Sequence, residues 1–307
     1  MHGRTIHRHY LPLSPADGSV NMTSIRYQQR QRGLSLIELM IALALSSFLI
    51  IGVTQLFLDN KRTYTFQQSQ SGNQENGRFA LNFLEQELAK VGYRRQPNID
   101  PIYAFPADNQ STLSGCNFSA GVAIVANSTT DLCIRYQARD PNETDCQGNA
   151  LSAAEKTAIN AVTLPGTAPS SAPAMFVERL TIGLGADKVS KSLLCLSSRG
   201  TTAVVTTGAG NPSSEVVPNV AALRFEYGTG PSTDRSVSAY VTSPSQAIRA
   251  VRYAFLIQSI GVGIRDNSAN PVLTQWTNLY GTSDSVSDNS QTYQIARGTV
   301  TLRNLMP

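Results

Sequence analysis

Few side chains in this 307-residue sequence are of types that do chemistry. The three histidines, His2, His7 and His9, all precede Met22. Beyond that point Ser-His-Asp catalysis, Cys-His catalysis and histidine-containing zinc sites are excluded. Four cysteines follow, Cys116, Cys133, Cys146 and Cys195, with no C-x-x-C pair among them. That spacing argues against zinc or thioredoxin-like use. The stretch DPNETD carries Asp140, Asn142, Glu143 and Asp145 and invites a calcium reading. It lacks the glycine and the distant glutamate of an EF-hand loop, so it reads as a solvated turn ahead of Cys146. Glu85 and Glu87 stand two apart in a helical pattern and point in different directions, a poor acid–base pair. There is no Gly-rich phosphate loop. The expectation is no catalytic residue, no metal and no cofactor.

Glu38 is a different problem. It is the only charged residue in the 25-residue run LSLIELMIALALSSFLIIGVTQLFL, Leu34–Leu58. The run is long enough to cross a hydrocarbon core as a helix. At a bilayer centre a carboxylate costs at least ~2.5–3.5 kcal/mol, so something must compensate Glu38. The run is too long for a cleaved secretory signal, and no A-x-A-like site follows it. Arg26, Arg30 and Arg32 flank its start, which predicts a cytoplasmic N-terminus and an exported C-terminal part. The net charge of +4 resides in residues 1–33, where Arg4, Arg8, Arg26, Arg30 and Arg32 are opposed only by Asp17, because Leu34 onward holds 20 basic and 20 acidic side chains. The charge is therefore no sign of nucleic-acid binding.

The elements that must position these groups begin with a helix. After Leu58 the composition turns polar, yet Ala80, Leu81, Leu84, Leu88 and Val91 recur at three- and four-residue steps, with Glu85, Glu87 and Lys90 between them. Gly92 reads as a stop and Pro97 follows. The pattern predicts one helix from about Leu34 to Val91, membranous in its first half and laying an apolar stripe on a sheet in its second. Gly72 and Gly77 weaken it by roughly 0.8–1 kcal/mol each relative to Ala, which predicts a local break. Arg94 and Arg95 are placed to favour its negative pole.

Beyond the helix, residues alternate as strands do. Leu223, Phe225 and Tyr227 share a face against Arg224 and Glu226. Val251, Tyr253, Phe255 and Ile257 repeat the pattern, and Val300 and Leu302 alternate with Thr299, Thr301 and Arg303. Further strands read at Gly121–Ala126, Leu132–Tyr136, Met175–Ile182, Leu193–Ser197 and Ala203–Thr207. Segments 97–120, 140–174 and 264–292 read as loops, with a short helix within 150–160. Trp276 and Tyr280 fall in the last loop, as interface aromatics or as core. All four cysteines follow the membrane run, in an oxidising compartment, and their even count favours two disulfides. Three connectivities are open.

The stretch Gly33-Leu34-Ser35-Leu36-Ile37-Glu38, followed by LMIALAL, resembles the class III signal of type IV pilins and their relatives. The resemblance implies that a prepilin peptidase cuts after Gly33 and that Leu34, where the family usually has Phe, becomes a methylated N-terminus. Glu38 is then the fifth residue, the family's glutamate position, which pairs with the amino terminus of a neighbouring subunit and acts as an assembly register. The segment MTSIRYQQRQRG from Met22 has the short basic form of the family's leaders. Met22 thus reads as the start, with residues 1–21 untranslated or an extension.

QENGRFALNFLEQELAKVGY (74–93), VVPNVAALRFEYG (216–228) and VTLRN (300–304) resemble the PilW group of minor pilins. The resemblance implies a Cys146–Cys195 disulfide, at D-C-x-G and L-x-C positions, and with it Cys116–Cys133. It implies an α+β fold, a long N-terminal helix packed on a mainly antiparallel sheet head with long loops. The parts are a leader (1–33), a transmembrane and assembly helix (34–58), its amphipathic continuation (59–92) and a head (93–307). The implied function is a minor pilin that primes type IV pilus assembly at or near the tip, where a bulky head is easier to accommodate. It resides in the inner membrane with its head in the periplasm, then in the pilus at the cell surface. Its partners are other minor pilins, the major pilin and a tip adhesin. A J-like type II secretion pseudopilin shares leader, helix and role. A membrane-anchored enzyme or binding module would need a convergent polar site, which no motif supplies. DNA capture would need a basic stripe from Arg224, Arg249 and Arg252, so nucleic acid is not an expected partner.

Overall fold

The computed structural model describes residues 33, 35–109, 113–159, 174–200, 212–231, 233, 235–260, 264–266, 268–282 and 286–306. The chain divides into two compact units, Met1–Leu56 and Phe57–Pro307. Helix α1 (Leu36–Lys90) contributes to both.

In the first unit every described residue of α1 is exposed, Leu36, Phe48, Leu49 and Ile50 among them. The hydroxyls of Ser46, Ser47 and Thr54 donate back to the carbonyls of Ala42, Ala44 and Ile50 at 2.7 Å. That satisfies the hydroxyls within the helix, as a hydrocarbon environment requires. Among the described residues this is the one helix long and apolar enough to cross a membrane.

In the second unit α1 lays Gly77, Ala80, Leu84 and Leu88 into the core. The break expected at Gly72 and Gly77 does not occur, and α1 is unbroken. Gly77 serves packing instead: a Cβ there would touch the Ala296 Cβ at 3.4 Å. Gly92 does end the helix, at φ +70°. Its amide donates to the Arg135 carbonyl at 3.0 Å, and a Cβ would collide with Leu305. Arg94 and Arg95 follow the end of α1, and their guanidiniums donate to the carbonyls of Ile99 and Arg139.

After α2 (Pro101–Ala104) come β1 (Asp108–Asn109) and β2 (Asn117–Phe118), a small antiparallel pair. Next come β3 (Ile124–Ser128), β4 (Asp131–Gln137), α3 (Ala153–Ala158), β5 (Met175–Leu184), β6 (Lys191–Gly200) and β7 (Ser214–Val217). Strands β3-β4-β5-β6-β7 form a five-stranded antiparallel sheet in that order. Then follow β8 (Val220–Gly230), β9 (Ala239–Val241), β10 (Ala247–Gln258), α4 (Pro271–Tyr280) and β11 (Tyr293–Thr301). These strands make a four-stranded antiparallel sheet, order β11-β10-β8-β9. The fold is α+β. The main core joins Leu84, Leu88 and Val91 of the helix segment to Ile134 and Leu180 of one sheet and Phe225, Val251 and Phe255 of the other.

Helix α3 lies where the short helix was read, closed by a capping box of Ser152 and Glu155. Segment 264–292 is not all loop, since it contains α4. Asn270 accepts from the Val272 amide at 3.1 Å and Pro271 occupies the first turn, both helix-start features. Trp276 is fully buried against Ala222, Ala254 and Leu256, so it is core. Strand β11 begins at Tyr293, well before the alternation read at Val300, and Leu302 lies just past its end. The strand read at Ala203–Thr207 falls outside the described residues.

Candidate functional site

The N-terminal motif comes first. Gly33 is exposed and precedes the helix; Leu34 lies outside the described residues, as do residues 1–32. The first intrahelical bond runs from the Leu39 amide to the Ser35 carbonyl at 3.1 Å. Glu38 sits in the first turn of α1. A carboxylate there faces the positive end of the helix dipole, a favourable but small term. Among the described residues Glu38 makes no ion pair, and its neighbours Ile37, Leu39 and Ile41 are exposed apolar side chains. The arrangement is a charge presented on an apolar rod, with no compensating cation among the described residues.

In the second unit, disulfides join Cys116 to Cys133 and Cys146 to Cys195, with Cα separations of 5.7 and 6.3 Å. These are the pairs that the family resemblance implies. They span 17 and 49 residues, and closing such loops is worth about 3–4 kcal/mol each. Cys116, Cys133 and Cys195 are fully buried, which suits staples rather than redox chemistry.

The acidic stretch before Cys146 is a solvated turn only in part: Asp140 and Asn142 are exposed. Glu143 and Asp145 are buried, and both are committed to internal cations. Arg139 donates from its amide and its Nε to Glu143. Asp145 accepts from Ser197, from Arg199 and from the amides of Gln147 and Asn149. Its oxygens are consumed in pinning the loop to β6. Among the described residues no cluster of metal-ligating side chains occurs.

Sequence reasoning missed the buried ionisable groups. Arg135 is fully buried between Phe105 and Phe118 and donates to the carbonyls of Phe105, Pro106, Ser119 and Val122. Burial pushes its pKa down to about 10 against the opposing effect of Asp108, so it stays charged at neutral pH. Glu178 is also fully buried; its Oε1 accepts from the Tyr136 hydroxyl and the Cys146 amide, both at 2.8 Å. Burial first, and the nearby Glu87 second, push the Glu178 carboxyl well above the usual range. Both are spent on internal hydrogen bonds and hold structure. A cavity of about 670 Å³ opens beside β3 and the start of β10. Its one charged lining residue, Arg249, is bonded to the carbonyls of Leu305 and Pro231. Arg249 is therefore buried away from Arg224 and Arg252, and the three do not form a stripe.

Residues 179–304 match the family model of type IV pilus-assembly protein W, and residues 28–54 match the prokaryotic N-terminal methylation motif. Comparison with curated proteins finds no match. Among solved structures, a type IV-like pilin from Thermus thermophilus is similar at 15% identity and a TM-score of 0.40, covering 76% of this chain and 96% of that chain. The chain is thus similar to type IV pilus-assembly protein W from within β5 through β11, and to the N-terminal methylation motif across the start of α1.

Proposed function

We propose that the chain is a minor pilin that primes type IV pilus assembly and sits at or near the pilus tip. The observation that carries the reading is Glu38, without an ion pair among the described residues, in the first turn of a membrane-length helix that follows Gly33. On this reading a prepilin peptidase cuts after Gly33 and the amine of Leu34 is methylated. The mature chain waits in the inner membrane as helix 34–58 with its continuation 59–92, and head 93–307 stands in the periplasm. Two buried disulfides and the basic flank Arg26, Arg30, Arg32 support that orientation. During assembly the carboxylate of Glu38 meets the amine of a neighbouring subunit in a dry bundle, where an opposite charge replaces lost solvation. A head of this size is easier to place where copies are few, which supports the tip. Its partners are then other minor pilins, the major pilin and a tip adhesin. The role is structural, and no catalytic step is assigned.

Affinity purification of crosslinked pili carrying a tagged copy tests this. Recovery of pilus pilins and minor pilins is the expected result. Recovery of secretion-system pseudopilins instead would move the chain to the J-like role, and recovery of neither would overturn the assembly reading.

A further inference from the structure

The four-stranded sheet has two faces, fixed by the alternation of its strands. One carries Phe225, Val251, Tyr253, Phe255 and Ile257 into the core beneath the helix segment. Cross-strand partners share a face, and the register aligns Arg252 with Glu226 and Thr299, Ala254 with Arg224 and Arg297, and Leu256 with Ala222. These residues form the other face. Helix α4 covers one end of it, at Ala222, Ala254 and Leu256. Beyond that end Arg252, Arg297 and Thr299 are exposed.

The two exposed guanidiniums are held by tyrosines. Arg252 lies 3.8 Å from the centre of the Tyr240 ring and 3.3 Å from Glu226. Arg297 sits beside the Tyr280 hydroxyl at the end of α4. Because Arg252 faces Thr299, Arg297 is its diagonal neighbour, about 7–8 Å away. Arg224, half-buried on the same face, has contacts of its own. Surfaces that serve only solubility carry Lys and Glu, whereas Arg and Tyr are the types enriched in protein interfaces. Tyrosine-braced guanidiniums also lose less side-chain freedom on docking. Glu226 is the one carboxylate of this face among the described residues, and it is half-buried and turned to Arg252. The exposed charge is therefore positive. It is too sparse for a phosphate backbone, whose binders neutralise many phosphates, and the chain from Leu34 onward is neutral, 20 basic against 20 acidic side chains.

We propose that this face, centred on Arg252 and Arg297 and bounded by α4, docks a carboxylate-bearing surface of another protein subunit. Each guanidinium takes an Asp or Glu side chain of the partner in a forked pair, the geometry that favours Arg over Lys. The proposal rests on the assembly reading only in drawing that partner from the same assembly.

The test uses the full chain in piliated cells, with a photo-crosslinking residue at Thr299 and, as control, at the exposed Val189. The expected result is one discrete adduct at position 299 and none at 189. Its partner peptide should contain Asp or Glu. The adduct should fall at least tenfold in Arg252→Glu/Arg297→Glu and return when the partner's acidic residues are reversed to Arg. Arg252→Gln/Arg297→Gln removes the charge more gently and should also weaken the adduct; intact disulfides and unchanged membrane levels exclude misfolding. Should both double variants be lost from the membrane, the wild-type adduct peptide decides, and one without an acidic residue overturns the proposal. So does an absent adduct, an adduct indifferent to charge, an adduct to a second copy of this chain, or an adduct to nucleic acid. If tagged chain still recovers pilins while position 299 gives no adduct, only this surface fails. If an acidic partner from outside any pilus is trapped, the surface stands and the assembly reading fails.

Discussion

The side-chain amide of Asn304 donates to the carbonyl oxygens of both Ala89 and Val91, each at 3.1 Å. The end of the chain thus caps the end of its first helix, where carbonyls otherwise lack partners. Asn304→Ala deletes both donors and should cost about 1–2 kcal/mol. Asn304→Asp should cost more, because it sets a carboxylate against the negative end of the helix. Thermal unfolding of the detergent-solubilised chain reads the order. An Asp variant more stable than the Ala variant would refute the capping role.

Arg135 ties the 105–122 segment to β4. Arg135→Met leaves the carbonyls of Phe105, Pro106, Ser119 and Val122 without their shared donor, at an expected cost of about 3–5 kcal/mol. Arg135→Lys should rescue little, since one ammonium does not span acceptors arranged around a planar fork. Limited proteolysis should then open new cuts between residues 105 and 122. Wild-type resistance there would remove the tie from the account.

How legible this molecule was depended on how each element is buried. The stripe Ala80–Val91 shows in the sequence because that part of α1 is buried on one face and exposed on the other. Strands β8 and β10 show for a related reason, as their core side is uniformly apolar. The start of β11 hides because Tyr293 packs under α4 while Ala296 packs into the main core, which erases the alternation. Helix α4 hides among Ser, Asn and Asp, although Asn270-Pro271 with Leu273 and Trp276 was a readable start and stripe. Arg135 and Glu178 look like surface charges in a sequence, because what satisfies them is chain folded in from far away. At Glu38 the sequence carried the chemical question and its spacing to Gly33, and the structure adds that no cation among the described residues pairs with it.

Glu178 makes stability depend on pH in a defined direction. Tyr136 and the Cys146 amide donate to it, and Glu87 and Lys90 face it from α1. Its folded pKa is raised above the unfolded value, so the folded state holds the proton more tightly. Stability is then fully present below the ordinary carboxylate range and is lost as pH rises toward the raised value. Glu178→Gln keeps an acceptor for both donors and removes the titration. Its melting temperature should match the wild type near pH 4 and exceed it at pH 8. Parallel curves for the two proteins across that interval would show that Glu178 is not the group responsible.

Glu38 should be needed for assembly and dispensable for insertion. In lipid the carboxylate is a cost, so Glu38→Val should enter the membrane at least as well as the wild type. In a bundle of helices the same change deletes one partner of a charge pair and leaves a neighbour's amino terminus uncompensated. Head folding should not respond, because Glu38 is exposed and belongs to a different unit from both disulfides. Three measurements separate these effects in cells lacking the native gene: membrane fractionation, thiol labelling without reductant, and counts of surface pili. The expected result is normal membrane level, no labelled thiol and few pili. Unchanged piliation with unchanged partner capture would mean that Glu38 is no register device. Loss of the protein from the membrane would mean that the carboxylate serves insertion or stability, and the pairing across subunits would have to be abandoned.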